Sequence, residues 1–340
     1  MPGAAPARTL CGMKLQRLDP DDTAAVAAAL SFHRATRTAD TPWDPPPTER
    51  GFVSSLRHGW DGEPGEAWLL IEDGQVTGSL HLHFSQRDNT HMAGMGVSVH
   101  PDKRREGRAR ALFEEGLARV RATGRRLVTT GTLDAEGPAA FATAMGFTRA
   151  SIEVQRRQDF TEVDPARVEE LRARATEAAR DYTLIRMDGP VPDDLLDEVA
   201  EMSAAINDAP TDDLDIEDEV FDGKRVRGFE AAQEAAGNKL YRVIARQGTD
   251  GPLAGHTVVG RPVDQPEWAW QWDTAVMRAH RGHRLGMLLK ADMVTWLRAA
   301  EPAIRWLDTW NAESNAHMIG VNEALGYRIV TRHLGWQRAV

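Results

Sequence analysis

The sequence predicts an α/β protein made of two tandem copies of one mixed-sheet fold. Three observations lead there. The chain has 340 residues, which suits two domains of roughly 150 residues better than one. A strand-like run enters an Arg/Gly-rich loop and then a helical pattern twice, first at Val97-Ser98-Val99-His100-Pro101-Asp102-Lys103-Arg104-Arg105-Glu106-Gly107-Arg108-Ala109 and again 177 residues later at Thr274-Ala275-Val276-Met277-Arg278-Ala279-His280-Arg281-Gly282-His283-Arg284-Leu285-Gly286. Each copy continues with a short β-like run, 127–130 or 304–310, and a helix closing on Met145-Gly146-Phe147 or Leu325-Gly326-Tyr327. Order and spacing both recur, so this is a duplication at domain scale and not a solenoid.

The elements follow in order. In the first copy, 14–18 reads as a strand and 22–37 as a helix capped by Asp21 or Asp22. Strands at 67–72 and 76–84 meet at Asp73-Gly74, a hairpin signal. A strand at 94–100 leads into the loop. In the second copy, 182–187 is a strand, 192–207 a helix, and 240–246 with 253–260 a hairpin around Asp250-Gly251; 268–277 is the strand before the loop. Between the copies, 164–180 reads as a charged linking helix with Pro165 at an early position. The expected organisation is an N-terminal domain at 1–160, a linker helix at 161–181 and a C-terminal domain at 182–340.

Composition excludes several classes. With 41% hydrophobic and 27% charged residues the chain can build a sizeable core. Cys11 is the single cysteine, which rules out a disulfide framework or cysteine-built zinc site and fits a reducing cytoplasm. No apolar run approaches the ~18 residues of a membrane span, and 1–8 reads as a flexible leader, without a signal-peptide layout. A net charge of -10 argues against nucleic acid, which selects basic surfaces. The expectation is a cytoplasmic monomer or homodimer with no metal, nucleic-acid or membrane partner.

A strand running through such a loop into a helix aims backbone N–H groups and the positive end of the helix dipole at one spot, suited to phosphate. Glycine permits close backbone approach, and Arg104, Arg105, Arg281 and Arg284 offer charge-assisted contacts. A plain exposed turn is the competing reading. No Gly-Lys-Ser/Thr follows, and no Gly-x-Gly-x-x-Gly is present.

The first loop resembles the acyl-CoA pyrophosphate loop of the GNAT superfamily of N-acetyltransferases, Gln/Arg-x-x-Gly-x-Gly/Ala, with Arg104, Gly107 and Ala109 filling it. In the second copy Arg281 and Gly286 match, while Arg284 stands where the middle glycine is expected. The run from Asn311-Ala312-Glu313-Ser314-Asn315 to Asn322-Glu323-Ala324-Leu325-Gly326-Tyr327 resembles the superfamily's later motif. Nearly the whole chain is covered, in a two-domain layout similar to that of mycothiol-synthase-like actinobacterial acetyltransferases. The resemblance implies that each sheet splays beside the strand before the loop and holds acetyl-CoA there as acyl donor. Backbone groups at Val99, or at Val276 and Met277, would bond the pantetheine. The loops would hold the phosphates through Arg104, Arg105, Gly107, Arg108 and Ala109, or through Arg281, Gly282, His283, Arg284, Leu285 and Gly286, and Asn315 would frame the CoA arm. A primary amine of a small acceptor would then attack the thioester directly, needing a base for its proton and a fixed donor on the carbonyl, an effect worth ~3 kcal/mol.

The superfamily's acid, a Tyr five residues before the terminal aromatic, is replaced by Ala142 and Asn322, so water or another group must protonate the thiolate. The first copy keeps the better loop. The second keeps Asn315 where the first has Ala135, and is favoured as catalytic. The candidate base is Asp273, unexpected inside a strand; structural pairing with an Arg or a loop N–H is the alternative. Glu313 and Asp308 are rivals. Strict alternation places Trp268, Trp270 and Trp272 on one face, as core or as an acceptor wall, and Gln271 and Asp273 on the other. His81 and His83 share one strand face and read as surface residues. Between 188 and 222 lie fourteen Asp/Glu and no Lys or Arg, either a solvated face or a wall that draws a cationic acceptor. A catalytically decayed acyl-CoA-binding scaffold is the competing function.

Overall fold

A computed structural model describes residues 8–10 and 12–340. Residues 1–7 and Cys11, where the leader and the lone thiol are expected, lie outside the described residues. The chain forms two compact units. Unit 1 runs to Ala150 and includes Leu214–Glu217 and Leu334–Val340; unit 2 comprises Ser151–Asp213 and Asp218–His333.

Unit 1 is built from β1 (Arg8–Leu10), β2 (Met13–Arg17), α1 (Thr23–Asp40), α2 (Glu49–His58), β3 (Glu66–Glu72), β4 (Gln75–His83), β5 (Met92–Val99), α3 (Arg108–Ala122), β6 (Leu127–Leu133), α4 (Glu136–Ala144) and the start of β7 (Thr148–Asp159). Strands β1 to β6 lie in chain order, antiparallel except for β5 beside β6. Local chemistry explains the boundaries. The Asp22 carboxylate caps α1 by accepting the Ala25 N–H at 3.0 Å, and Thr48 caps α2 by accepting that of Gly51 at 3.1 Å. Asp73 and Gly74 both take positive φ, as the expected two-residue hairpin turn requires.

Unit 2 continues β7 and adds α5 (Pro165–Ala178), β8 (Tyr182–Asp188), α6 (Leu196–Ser203), α7 (Gly223–Ala235), β9 (Asn238–Gln247), β10 (Leu253–Pro262), β11 (Trp268–Val276), α8 (Leu285–Ala300), β12 (Trp306–Ala312), α9 (Ala316–Ala324) and the first half of β13 (Arg328–Ala339). From its outer edge the strands run β8-β9-β10-β11-β12-β7, with β11 and β12 parallel and the other of these pairs antiparallel. Leu285, Leu288, Leu289 and Leu297 of α8, with Val168 and Leu171 of α5, pack against Val243, Val259 and Leu307. Val199, Met202 and Val226 of α6 and α7 form a second cluster with Ile244. Each such side chain, fully buried, contributes about 1.5–3 kcal/mol before entropy is counted.

Two arrangements depart from the expected layout. The single helix expected at 192–207 is divided into 3₁₀ turns at Asp193–Leu195 and Ala204–Asp208 around a short α6; Ser203 Oγ donates back to Val199 O at 2.7 Å, which loosens the helix end. The division along the chain also does not fall at the linking helix: unit 2 begins at Ser151. Strand β7 pairs with β12 from Asp159↔Trp306 to Glu153↔Ala312 inside unit 2. The chain's last residues close unit 1, with Trp336 Nε1 donating to Thr132 Oγ1 at 2.9 Å and Val340 N–H to Arg126 O at 3.0 Å. Helix α5, expected as a linker, is an integral layer of unit 2, packed on α8.

Candidate functional site

The parallel pairs open in both units. Strands β11 and β12 are in register from Trp268↔Trp306 to Gln271↔Thr309 and then part from each other, each still paired with its outer neighbour, as they run on to Val276 and Ala312. Strands β5 and β6 pair from Met92↔Leu127 to Gly94↔Thr129 and likewise part.

The loop beyond each splay has the same backbone. Two left-handed positions sit two residues apart, Arg105 and Gly107 before α3, Gly282 and Arg284 before α8. Arg284, at φ 56 and ψ 23, takes the conformation that Gly107 holds at φ 83. Each copy therefore puts its glycine at one of the two positions and accepts the strain of an arginine at the other. The arginine replacing the middle glycine leaves the loop geometry intact. The first-turn amides of α8 have no intrahelical partner, and a Cβ built on Gly286 meets nothing within 4 Å, so that face of the helix start is open.

The preceding arginine repeats as well. Arg104 Nε donates to Val99 O and Arg281 Nε to Val276 O, each at 3.1 Å. Arg104 also grips Asp40 at 2.7 and 2.8 Å, and Arg281 reaches Asp208 at 2.6 Å, a carboxylate that Arg278 also engages. These guanidinia tie each loop to its strand. Arg108 is likewise taken up by Glu72 and Glu106. Met277 N–H, expected to bond pantetheine, is donated to Ala254 O at 2.8 Å. The Val99 and Val276 carbonyls each keep a second lone pair.

In unit 2 the splay and the loop open into a cleft of about 1030 Å³. Thr274, Ala275 and Val276 line one side, Arg281, Gly282, Arg284, Leu285 and Gly286 the loop end, and Asn315, Met318 and Val321 of the α9 segment the other side. Helix α5 adds Arg167, Leu171, Arg174 and Ala175. Four arginines and one aspartate, Asp208, make up its charged lining, so an acidic protein presents a cationic cleft, as an anionic ligand requires. His283 does not line it; its ring lies 5.4 Å from Tyr182. His280 does, held by Tyr182 Oη at 3.0 Å from Nδ1. In unit 1, a 460 Å³ cavity lies instead among α1, α2 and β4, with His33 and His81 in its wall and none of Val99, Arg104, Arg105, Gly107, Arg108 or Ala109. Burial, helped by His81, holds the His33 imidazole down at about 4.

The candidate acid–base residues fall in different environments. Thr257 pairs with Thr274 and Val259 with Gln271, so a β-bulge sets Trp272 and Asp273 against Val258 alone. The bulge breaks the strict alternation. Gln271 is buried, with Nε2 donating to Thr257 Oγ1 at 2.7 Å, while Asp273 is exposed to solvent yet ringed by protein atoms. That crowding pushes its carboxyl up from the usual range, against the pull of Arg242 and Arg225. Trp268 stacks on Trp270, but Trp272 turns edge-on to Phe229 of α7 and covers Gly260, where a Cβ would come 2.0 Å from its ring.

Asn322 is 0% exposed, and its Nδ2 donates to Asn311 Oδ1 at 2.7 Å; it bridges α9 to β12 inside the core, which removes it as a group facing a thiolate. Glu313 is exposed and pairs with Arg332 at 2.9 Å, outside the cleft. Asp308, 0% exposed, takes two hydrogen bonds from Arg157 at 2.7 and 2.8 Å and one from Gln155 at 2.9 Å, a structural ion pair. Asn315 caps α9 by accepting the Met318 N–H at 3.1 Å and lines the cleft. Sequence reasoning missed the α5 wall, although Arg167, Leu171, Arg174 and Ala175 fall on one helical face, and it missed Asp208 and the Tyr182–His280 pair.

Comparison with known proteins meets this geometry. The sequence pattern of the Acetyltransferase (GNAT) family matches residues 31–147. Those residues carry the sequence pattern of that family on the first of the two units. The whole chain is similar to a solved tandem GNAT protein from the clavulanic acid biosynthesis pathway, at 27% identity over 96% of this chain and 98% of that one, TM-score 0.79. It is also similar in fold to a GCN5-related N-acetyltransferase from Sphaerobacter thermophilus (16% identity, 96% and 95% covered, TM-score 0.68) and a putative acetyltransferase from Pyrococcus horikoshii (14%, 100% and 94%, TM-score 0.58). Both halves thus have the tandem GNAT layout. Among curated proteins none matches this sequence. The family pattern falls on the unit with the intact Gly107 loop, whereas the large cleft belongs to unit 2. Among the described residues, no helix is long and apolar enough to cross a membrane, and no three His, Cys, Asp or Glu side chains gather as a metal site.

Proposed function

We propose that the chain is an acyl-CoA-dependent N-acetyltransferase in which unit 2 moves an acetyl group from acetyl-CoA to a primary amine of a small cationic acceptor. The single observation that carries the reading is the unit 2 cleft, where an open parallel splay leads to a left-handed loop, free helix-start amides and a cationic lining.

In this reading the diphosphate lies on the start of α8, the pantetheine follows β11 toward Thr274, and the thioester comes to the bulge. Asp273 accepts the amine's proton; a carboxylate lifted above its ordinary range is a stronger base than a free one. Arg242, in register with Val258 opposite the bulge, and Arg225 of α7 pull against that rise. The amine nitrogen bonds to the acyl carbon, the C–S bond breaks, and the thiolate takes a proton from water. The acidic tract supports a cationic acceptor in part: arginines engage Asp193, Glu198, Asp208 and Glu219, while Asp194, Asp197 and Glu201 remain exposed.

The test is a thiol-release screen of acetyl-CoA against polyamines, aminoglycoside-like amines and lysine peptides. Turnover with at least one, lost in Gly286→Glu, supports the reading. Position 322 holds a buried Asn in place of a tyrosine acid, which favours the scaffold alternative; tight acetyl-CoA binding with no thiol release across the screen would establish it.

A further inference from the structure

Helix α5 crosses from one repeat to the next, yet it forms a wall of the unit 2 cleft. Its residues 167, 171, 174 and 175 share one face. Leu171 and Ala175 are anchored in the core against α8, and the two arginines flanking them reach the cleft. Both are half exposed, and among the described residues each has only Glu170, itself exposed, as a carboxylate partner: Arg167 at 2.6 Å and Arg174 at 3.5 Å. Exposed pairs of this kind are weak, worth ~0–1 kcal/mol, so a doubly charged phosphate can take the guanidinia over through bidentate contacts.

The position along the cleft narrows the ligand. The loop amides and Gly286 occupy the stretch next to β11 and suit a diphosphate. Arg281, beside that stretch, is held by Val276 O and Asp208. Arg167 and Arg174 lie on a separate element and supply two more cationic groups to the same cleft. If a diphosphate takes the helix start, these two further guanidinia match a ligand that carries another anionic group.

We infer that α5 recognises the 3′-phosphate on the ribose of the acyl-CoA donor through Arg167 and Arg174, so that the helix joining the two repeats sets selectivity for CoA over its 3′-dephospho form. This deepens the proposed function and rests on the acyl-CoA reading of the same cleft.

The experiment is isothermal titration of the full chain with CoA and with 3′-dephospho-CoA, for wild type, for Arg167→Gln/Arg174→Gln, and for Arg305→Gln as a surface-charge control. Wild type is expected to bind CoA about tenfold more tightly than the dephospho form, the scale of one or two charge-assisted contacts. The double variant should bind both ligands at the dephospho level, and Arg305→Gln should keep the wild-type preference. Equal binding of the two ligands by wild type, or a double variant that keeps the preference, overturns the inference while leaving the donor reading standing. Failure of wild type to bind either ligand overturns the donor reading, and this inference with it.

Discussion

Lys290 offers the sharpest test of how this fold is held together. It sits mid-way along α8, 1% exposed, with its Nζ 4.8 Å above the Tyr327 ring centroid and no carboxylate partner among the described residues. Burial pulls its amine down from 10.5 to about 7. The folded protein therefore binds fewer protons than the unfolded chain between about pH 7 and 10.5, and stability rises with pH across that window. At about 1.4 kcal/mol for each pH unit, keeping the amine neutral at pH 7 costs about 4 kcal/mol, while a shape-conserving swap in a packed core costs ~1 kcal/mol. Lys290→Met keeps the unbranched shape and removes that cost. The expected gain at pH 7 is about 3 kcal/mol, shrinking toward zero near pH 10. Urea unfolding at pH 7, 8.5 and 10 measures it. A variant less stable than wild type at pH 7, or a gain that does not shrink as pH rises, would refute the account of an unpaired buried amine.

Other expectations address the site and the core. Gly286→Glu has room for its side chain and sets a carboxylate in the phosphate cleft, so the thermal shift given by acetyl-CoA should vanish; the matching change in unit 1, Ala109→Glu, should leave it intact, and the reverse pattern would move the donor site to unit 1. Asp273→Asn should lower kcat at least 100-fold with little change in KM for acetyl-CoA, and should flatten the acid limb of the pH–rate profile; full turnover across pH would remove Asp273 as the base. Arg157→Met leaves Asp308 charged and buried and should cost about 3–5 kcal/mol in chemical denaturation, whereas the pair replacement Arg157→Met/Asp308→Leu should recover most of it.

The repeat, the hairpins and both strand–loop–helix units were legible in the sequence because each has a local signal: Asp73-Gly74 must turn, Asp22 must cap, and Arg104 and Arg281 recur at one offset. The splay followed from the resemblance, and the structure places it where expected. Three things were not legible. The bulge at Trp272 and Asp273 depends on how β10 pairs, and a one-residue slip of pairing leaves no mark on an alternating run of tryptophans. The arginine clamps need Asp40 and Asp208, each more than sixty residues from its partner. The burial of Asn322 depends on Asn311 in a neighbouring strand, so a polar residue at a helical position gave no hint of its direction. Arg284 is the instructive case: read as a departure from glycine, it takes the same backbone conformation, and only coordinates show that the strain is tolerated.

The closing of unit 1 by Leu334–Val340, and of unit 2 by Ser151–Asp159, has a consequence for the history of such a chain. A duplicated domain that loses its ligand is ordinarily free to be deleted. Here each repeat ends by supplying a strand to the other unit's sheet, so removing either copy would leave the survivor with an unpaired edge. A repeat can therefore lose its chemistry and still be retained, because its partner depends on it to fold.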